Sequence, residues 1–208
     1  MIKRIIFDID NTLIDFPESY KEGYQQILDK YKINKTYEDL YNAIGVYEEC
    51  GKYDKYTKED LLKVINQELN LNLGNDFLED YFDMYNNLNT NVSNSIKETL
   101  EYLSKKYELV TLSNWFTFSQ KERLKKVNID KYFKAVYGTD IVPMKPTEES
   151  FLSVIGNHKV EECLMIGDNI KMDIEVPYKL GMNVYYLSKG KKTNYPSIEK
   201  LEDLKEML

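Results

Sequence analysis

Lys3-Arg4-Ile5-Ile6-Phe7-Asp8-Ile9-Asp10-Asn11-Thr12 opens as a short β-branched and aromatic run and then breaks into acids and turn formers. Apolarity unbroken over so few residues fits a strand buried on both faces, with the acids delivered at its C-terminal end. Three later segments share the form. Leu109-Val110-Thr111-Leu112 runs into Ser113-Asn114, Ala135-Val136-Tyr137 into Gly138-Thr139-Asp140, and Cys163-Leu164-Met165-Ile166 into Gly167-Asp168-Asn169. Helical periodicities separate them at 95–106, with Ile96, Leu100 and Leu103 on one face, at 118–127 and at 147–155. Ser95 and Glu98, three apart, have the spacing of a capping box. A fifth short strand is expected at 183–187, after a helix ended by Gly181, and a small amphipathic helix at 198–208. Alternating strands and helices predict an α/β fold, a doubly wound parallel sheet covered on both faces.

Residues 16–89 interrupt the alternation. Helix-like stretches at 18–31, 36–49, 57–69 and 76–88 follow one another between Asn-, Gly- and Lys-containing turns, with no convincing strand. An inserted all-helical subdomain is therefore expected over 16–89, with 1–15 and 90–208 forming the α/β core. The length of 208 residues accommodates one core domain plus such an insertion. Hydrophobic residues at 42% and charged residues at 30% fit a globular chain. No stretch reaches membrane-span length, and the start MIKRIIFDID lacks the apolar run of a signal peptide, so a cytoplasmic protein is expected. Cys50 and Cys163 have no cysteine or histidine at metal-ligand spacing, which argues against a zinc site and for reduced thiols. A net charge of −7 with no basic cluster beyond 189–192 argues against a nucleic acid polymer as partner. A small phosphorylated metabolite remains compatible, provided a divalent cation and fixed donors make its pocket locally positive. A monomer or a homodimer is expected.

In a doubly wound sheet, ligands bind beyond the carboxyl ends of the strands. Asp8 and Asp10 fall there after the first strand, Ser113 after the second, Lys145 in the loop after the third, and Asp168 with Asp173 after the fourth. This set points to phosphoryl transfer, in which catalysis is largely in-line positioning and neutralisation of charge on the equatorial oxygens. Asp8 and Asp168 can hold Mg2+, a hard cation that takes few carboxylates and keeps its waters. Asp8 can then attack phosphorus while Lys145 and the Ser113 hydroxyl donate to phosphoryl oxygens. Asp10 can protonate the leaving oxygen and later activate water.

These residues resemble a known family. Asp8-Ile9-Asp10-Asn11-Thr12 is similar to the first motif of the haloacid dehalogenase (HAD)-like hydrolases, Leu112-Ser113-Asn114 to the second, Lys145-Pro146 to the third, and Gly167-Asp168-Asn169 with Asp173 to the fourth. The resemblance implies a Rossmann-like core with a first-type helical cap, and a Mg2+-dependent phosphatase of the nucleotidase-like branch. It implies Asp8 as nucleophile and metal ligand, and Asp10 as acid and base that also binds metal through its backbone carbonyl. Thr12 would orient Asp10 beside the phosphate, Ser113, Asn114 and Lys145 would bind the phosphate, and Asp168 and Asp173 would complete the metal site. Dehalogenases of the family typically lack an acid at the position of Asp10, so the expected substrates are small phosphomonoesters, with nucleoside monophosphates and sugar phosphates foremost. A phosphomutase on the same core is one rival, and a non-catalytic phosphate-binding or regulatory protein, receiver-like in its use of a phospho-aspartate, is another. Pro177 departs from the small residue usual at its position. If Asp173 caps the following helix, Pro177 distorts only its first turn.

Weaker candidates surround these. Trp115 and Phe116 follow the second motif and could border the substrate opening or simply pack. The loop-like piece 45–56 offers Tyr47, Glu48, Tyr53 and Lys55 as possible substrate contacts. His158, the lone histidine, lies in a polar connection expected on the face away from the site, which leaves no Ser-His-Asp set.

Overall fold

A computed structural model describes residues 1–16, 18–49 and 55–208, apart from the side chain of residue 49; Cys50 and Tyr53 lie outside this described part. Six strands form one sheet: β1 (Arg4–Phe7), β2 (Glu108–Leu112), β3 (Ala135–Tyr137), β4 (Cys163–Gly167), β5 (Asn183–Leu187) and β6 (Ser197–Ile198). Their order is β3-β2-β1-β4-β5-β6, and every pair is parallel. β1 is central, with Phe7 opposite Thr111 on one side and Ile166 on the other.

The sheet has the two-faced burial its apolar strands predict. Ile5 and Phe7 point to a layer with Leu100 and Leu103 of α5 (Asn94–Ser104) and Leu124 of α6 (Thr117–Lys126). Ile6, between them, faces the other way, onto Phe151 of α7 (Glu148–Leu152) and Ile174 ahead of α8 (Glu175–Lys179). Period-two alternation along β1 thus feeds two separate cores.

Between β1 and α5 come α1 (Tyr20–Lys30), α2 (Tyr37–Glu49), α3 (Lys58–Leu69) and α4 (Asn75–Asn87). These four helices form the cap and bury a third cluster of their own, including Leu28, Leu40, Leu61, Ile65 and Phe77. α3 starts at a capping box in which Thr57 and Asp60 satisfy each other's backbone N–H groups. Trp115, Phe116 and Met144 of the α/β layers are buried in that same cluster, so cap and sheet share an aromatic joint. None of the helices described is long and apolar enough to cross a membrane.

Four local expectations are corrected. α5 begins at Ser93, not Ser95, because Ser93 has the extended backbone a cap needs (φ −62°, ψ 154°) and its Oγ accepts from the Ile96 N–H. Ser95 lies inside the first turn, and its hydroxyl pairs with the Ser93 hydroxyl at 2.9 Å. α7 stops at Leu152, short of the expected 155. The stretch 198–208 splits: Ser197–Ile198 adds a sixth strand, held by Ser188 N to Ile198 O at 2.9 Å, and only Leu204–Met207 (α9) is α-helical. A two-residue strand after a proline leaves no periodicity to read. Finally, 45–49 continues α2 instead of opening a loop.

Phe116 stacks on Tyr47 at 5.8 Å and meets Phe82 edge-on at 5.3 Å, both from the cap. Phe116→Ala empties this joint, and the expected loss is about 3 kcal/mol of unfolding free energy. Urea denaturation measures it, and an unchanged midpoint would show that the joint carries no packing energy.

Candidate active site

Strand order reverses between β1 and β4, so the crevice beyond their carboxyl ends is the natural ligand site of the fold. Asp8 leaves β1 there, its N–H still laddered to Ile166 O at 2.9 Å. The chain then turns tightly: Asn11 takes φ +60°, a conformation asparagine tolerates, and its N–H bonds Ile14 O at 2.7 Å. Asp168 follows β4 on the adjacent strand.

Lys145 binds the cluster together. It is 3% exposed, and its Nζ donates to Asp8 Oδ1 at 2.7 Å and to Asp173 Oδ1 at 2.6 Å. The aim of the lysine is set from below by Asn114. Asn114 Oδ1 accepts from the Lys145 backbone N–H at 2.8 Å, and Asn114 Nδ2 donates to Lys145 O at 2.9 Å and to Glu48 O of α2 at 3.2 Å. Asn114 borders the same cavity as Asp8 and Lys145, and its amide bonds backbone, bracing the lysine loop and tying it to the cap.

Asp173 is displaced from its expected place. Asn169 is the N-cap, its Oδ1 accepting from Lys171 N at 3.1 Å and Met172 N at 3.2 Å. Asp173 sits within a wide π-helical turn, Ile170–Ile174, that precedes α8. The turn carries the carboxylate back toward β4, where its Oδ2 accepts the Asn169 N–H at 3.1 Å. Pro177 is buried in α8 just beyond and has no N–H to return to Asp173 O, which the widened turn accommodates. The carboxylate lies so close to Gly167 that a Cβ there would overlap it, which explains a glycine at the end of β4.

Carboxylate oxygens of Asp8, Asp168 and Asp173 all lie within 4.8 Å of one another. Crowding shows in their acidity. Burial pushes Asp8 up to about 7, against the pull of Lys145 and with help from Asp173. Burial, then the charge of Asp8, pushes Asp168 up to about 6. Burial also raises Asp173. One ammonium among three acids leaves a deficit of positive charge in a pocket of hard oxygen donors, which is the donor chemistry of a divalent cation site.

Asp10 stands apart from that cluster. Its Oδ2 accepts from Gln120 Nε2 at 2.9 Å, and its Oδ1 lies 2.7 Å from Arg123 Nη2. Ser113 is buried and its Oγ accepts from the same Gln120 Nε2 at 2.8 Å. Thr12, expected to orient Asp10, is buried with a hydroxyl that finds no partner among the described residues. Gln120 and Arg123 were not anticipated. Their only signal in the sequence is a spacing of three on the helix that follows Ser113, masked by the surrounding lysines.

Asp8, Asp10, Asn11, Ser113, Lys145 and Asp168 line one cavity of about 270 Å3. Asp10, Tyr41 and Glu48 also border a second, of about 460 Å3, walled by Phe16, Tyr24, Tyr81, Tyr85 and Trp115 under the cap. Trp115 and Glu48 thus reach the opening. Tyr47 does not: it is fully buried against Tyr56 and Phe116. Lys55 is exposed. His158 lies 3.6 Å from Glu108 at the start of β2, the opposite end of the sheet.

Residues 5–187 match the family described as haloacid dehalogenase-like hydrolase, and the chain belongs to that family. It is 26% identical to the glyceraldehyde 3-phosphate phosphatase of Methanocaldococcus jannaschii, over 92% of this chain and 87% of that one. It is 29% identical to pyrophosphatase PpaX of Listeria welshimeri, over 91% and 82%. Among solved structures it is similar to the HAD-hydrolase YfnB from Bacillus subtilis bound to magnesium, with TM-score 0.77, 19% identity and coverage of 100% and 98%.

Removing Lys145 leaves buried acids without their counter-charge. Lys145→Met is expected to destabilise the metal-free protein by about 3 kcal/mol at pH 7. Each acid has a folded pKa above its unfolded value of 3.8, so its contribution is intact below about pH 4 and is lost as pH rises toward 7. The deficit should therefore shrink as denaturation is repeated at falling pH. A deficit that grows on acidification would contradict the charge argument.

Proposed function

We propose that the protein is a Mg2+-dependent phosphatase that hydrolyses small phosphomonoesters through a phospho-aspartate on Asp8. The observation that carries this reading is the meeting of Asp8, Lys145, Asp168 and Asp173 in one pocket, with a second acid, Asp10, held separately two residues along the same turn. Residues 1–15 and 90–208 serve as the hydrolase core and 16–89 as the cap, which shelters the reacting group from bulk water. The setting is cytoplasmic.

Asp8 and Asp168, with Asp173 beside them, would hold the cation, which would supply charge neutralisation for the phosphate. Lys145 and the Ser113 hydroxyl face the same pocket and donate to phosphoryl oxygens. An Asp8 oxygen forms a bond to phosphorus as the ester oxygen leaves, taking a proton from Asp10. Asp10, now ionised, accepts a proton from water. That water oxygen attacks phosphorus, the Asp8–phosphorus link breaks, and inorganic phosphate departs with Asp8 restored.

The leaving group faces the cavity under the cap. Its described walls are aromatic and acidic, not basic, which suits a nucleoside or a sugar better than a second phosphate. This favours phosphatase over phosphomutase action on a bisphosphate.

A panel of phosphorylated metabolites assayed for inorganic phosphate is the direct test. Release from nucleoside or sugar monophosphates without a bisphosphate activator is expected, and turnover that needs such an activator would mark a mutase. Asp8→Asn should abolish p-nitrophenyl phosphate hydrolysis at saturating Mg2+; retention of most activity removes Asp8 as nucleophile. Ligand acids must be deprotonated, so Mg2+ should raise the melting temperature more at pH 8 than at pH 5.5, below the values near 7 and 6 of Asp8 and Asp168. Equal shifts at both pH values would place the cation elsewhere.

A further inference from the structure

Gln120 and Arg123 are 0% and 2% exposed on the face of α6 that turns toward the site. Gln120 Nε2 donates to Asp10 Oδ2 and to Ser113 Oγ, and its Oε1 accepts from Arg123 Nη1 at 2.8 Å. Arg123 Nη2 pairs with Asp10 Oδ1 at 2.7 Å, and the guanidinium lies 5.0 Å from the Tyr85 ring of α4. The same stretch of α6 fastens the end of α4: Ser119 Oγ donates to Asn86 Oδ1 at 2.5 Å, and Lys126 Nζ to Asn87 O at 2.9 Å.

A fully desolvated guanidinium is an expensive way to fill space, and an apolar residue of similar volume usually stabilises as well or better. Its partner identifies the use of the charge. Arg123 is not matched to another buried acid but to Asp10, whose side chain is 26% exposed and borders both cavities. Thr12 gives Asp10 no support, so both anchors on the carboxylate come from α6. An aspartate at the tip of a turn otherwise samples several rotamers, and a displacement of about 1 Å costs on the order of a hundredfold in rate.

We infer that Gln120 and Arg123 are positioning residues that aim the Asp10 carboxylate at the ester oxygen, with Gln120 tying that aim to Ser113. The inference rests on the reading of Asp10 as acid and base. Neither residue touches substrate; both act through Asp10.

Proton donation matters for a poor leaving group and hardly at all for a good one. The test therefore compares single-turnover release of phenol from phenyl phosphate with release of dinitrophenol from 2,4-dinitrophenyl phosphate, using the full chain with Mg2+. In Arg123→Met and in Gln120→Leu, phenol release should fall roughly ten- to a hundredfold, while dinitrophenol release stays within about threefold, as expected for impaired acid assistance. The ratio of the two rates on one sample cancels any unfolded fraction, and Gln120→Leu carries the test if Arg123→Met does not fold. Equal loss on both substrates, or no loss on either, overturns the inference. Asp10→Asn separates the failures. If it too shows no leaving-group dependence, the acid role of Asp10 is wrong; if it shows the dependence and the α6 variants do not, only the positioning claim falls.

Discussion

The buried ammonium of Lys145, bonded at once to Asp8 and Asp173, is the contact on which the rest of the site depends. Each of these charges alone would cost several kcal/mol to take out of water, so none can be buried unless the others are held in place with it. The fold provides that restraint from several directions. β1 fixes Asp8 by its ladder to β4, the π-helical turn throws Asp173 back over Gly167, and Asn114 grips the backbone of Lys145 on both sides. One cation cannot balance three acids. Burial first, and the neighbouring carboxylates after it, raise the pKa values of Asp8 and Asp168, so both hold their protons more tightly than free aspartates do, and a divalent cation would supply the positive charge that is missing.

Asp8 and Asp10 are close in the chain yet are placed in different electrostatic company. Asp8 belongs to the lysine-centred cluster at the switch point of the sheet. Asp10 faces the guanidinium of Arg123 and the amide of Gln120, on a helix that follows the neighbouring strand. Two carboxyl groups with distinct partners are held in distinct positions, which is the arrangement that separate tasks for the two would require.

The parallel sheet and its acids were legible because strand burial and strand-end polarity are both local. Ile5 to Phe7 could be read as doubly buried from three residues, and Asp8 had to emerge where that run ended. The cap helices were legible from periodicity, with boundaries displaced by a residue or two. What escaped reading depended on tertiary geometry. The bracing of the Lys145 loop by the Asn114 amide is one such contact, because adjacency to Ser113 does not reveal it. Ser95 matched a capping pattern that Ser93 fulfils, since backbone torsion, not spacing, decides which serine lies at the helix start. The π-helical turn at Asp173 and the pair Gln120 and Arg123 leave no periodic trace, and β6 is too short to leave one.

The joint between cap and sheet links these observations. Trp115 directly follows Ser113 and Asn114, so the end of β2 supplies a serine to the carboxylate-lined cavity, a brace to the lysine loop and an indole to the cap's aromatic cluster within three consecutive residues. The indole N–H donates to Ser119 Oγ, which donates in turn to Asn86 at the end of α4. α6 therefore stands between the cap and Asp10: one side of it fastens α4, and the other holds the Asp10 carboxylate. Movement of α4 relative to the sheet would pull on the Tyr85 ring that covers Arg123, and so on the carboxylate that Arg123 pairs with. Packing of the cap and orientation of the acid are in this way settled by the same few buried side chains.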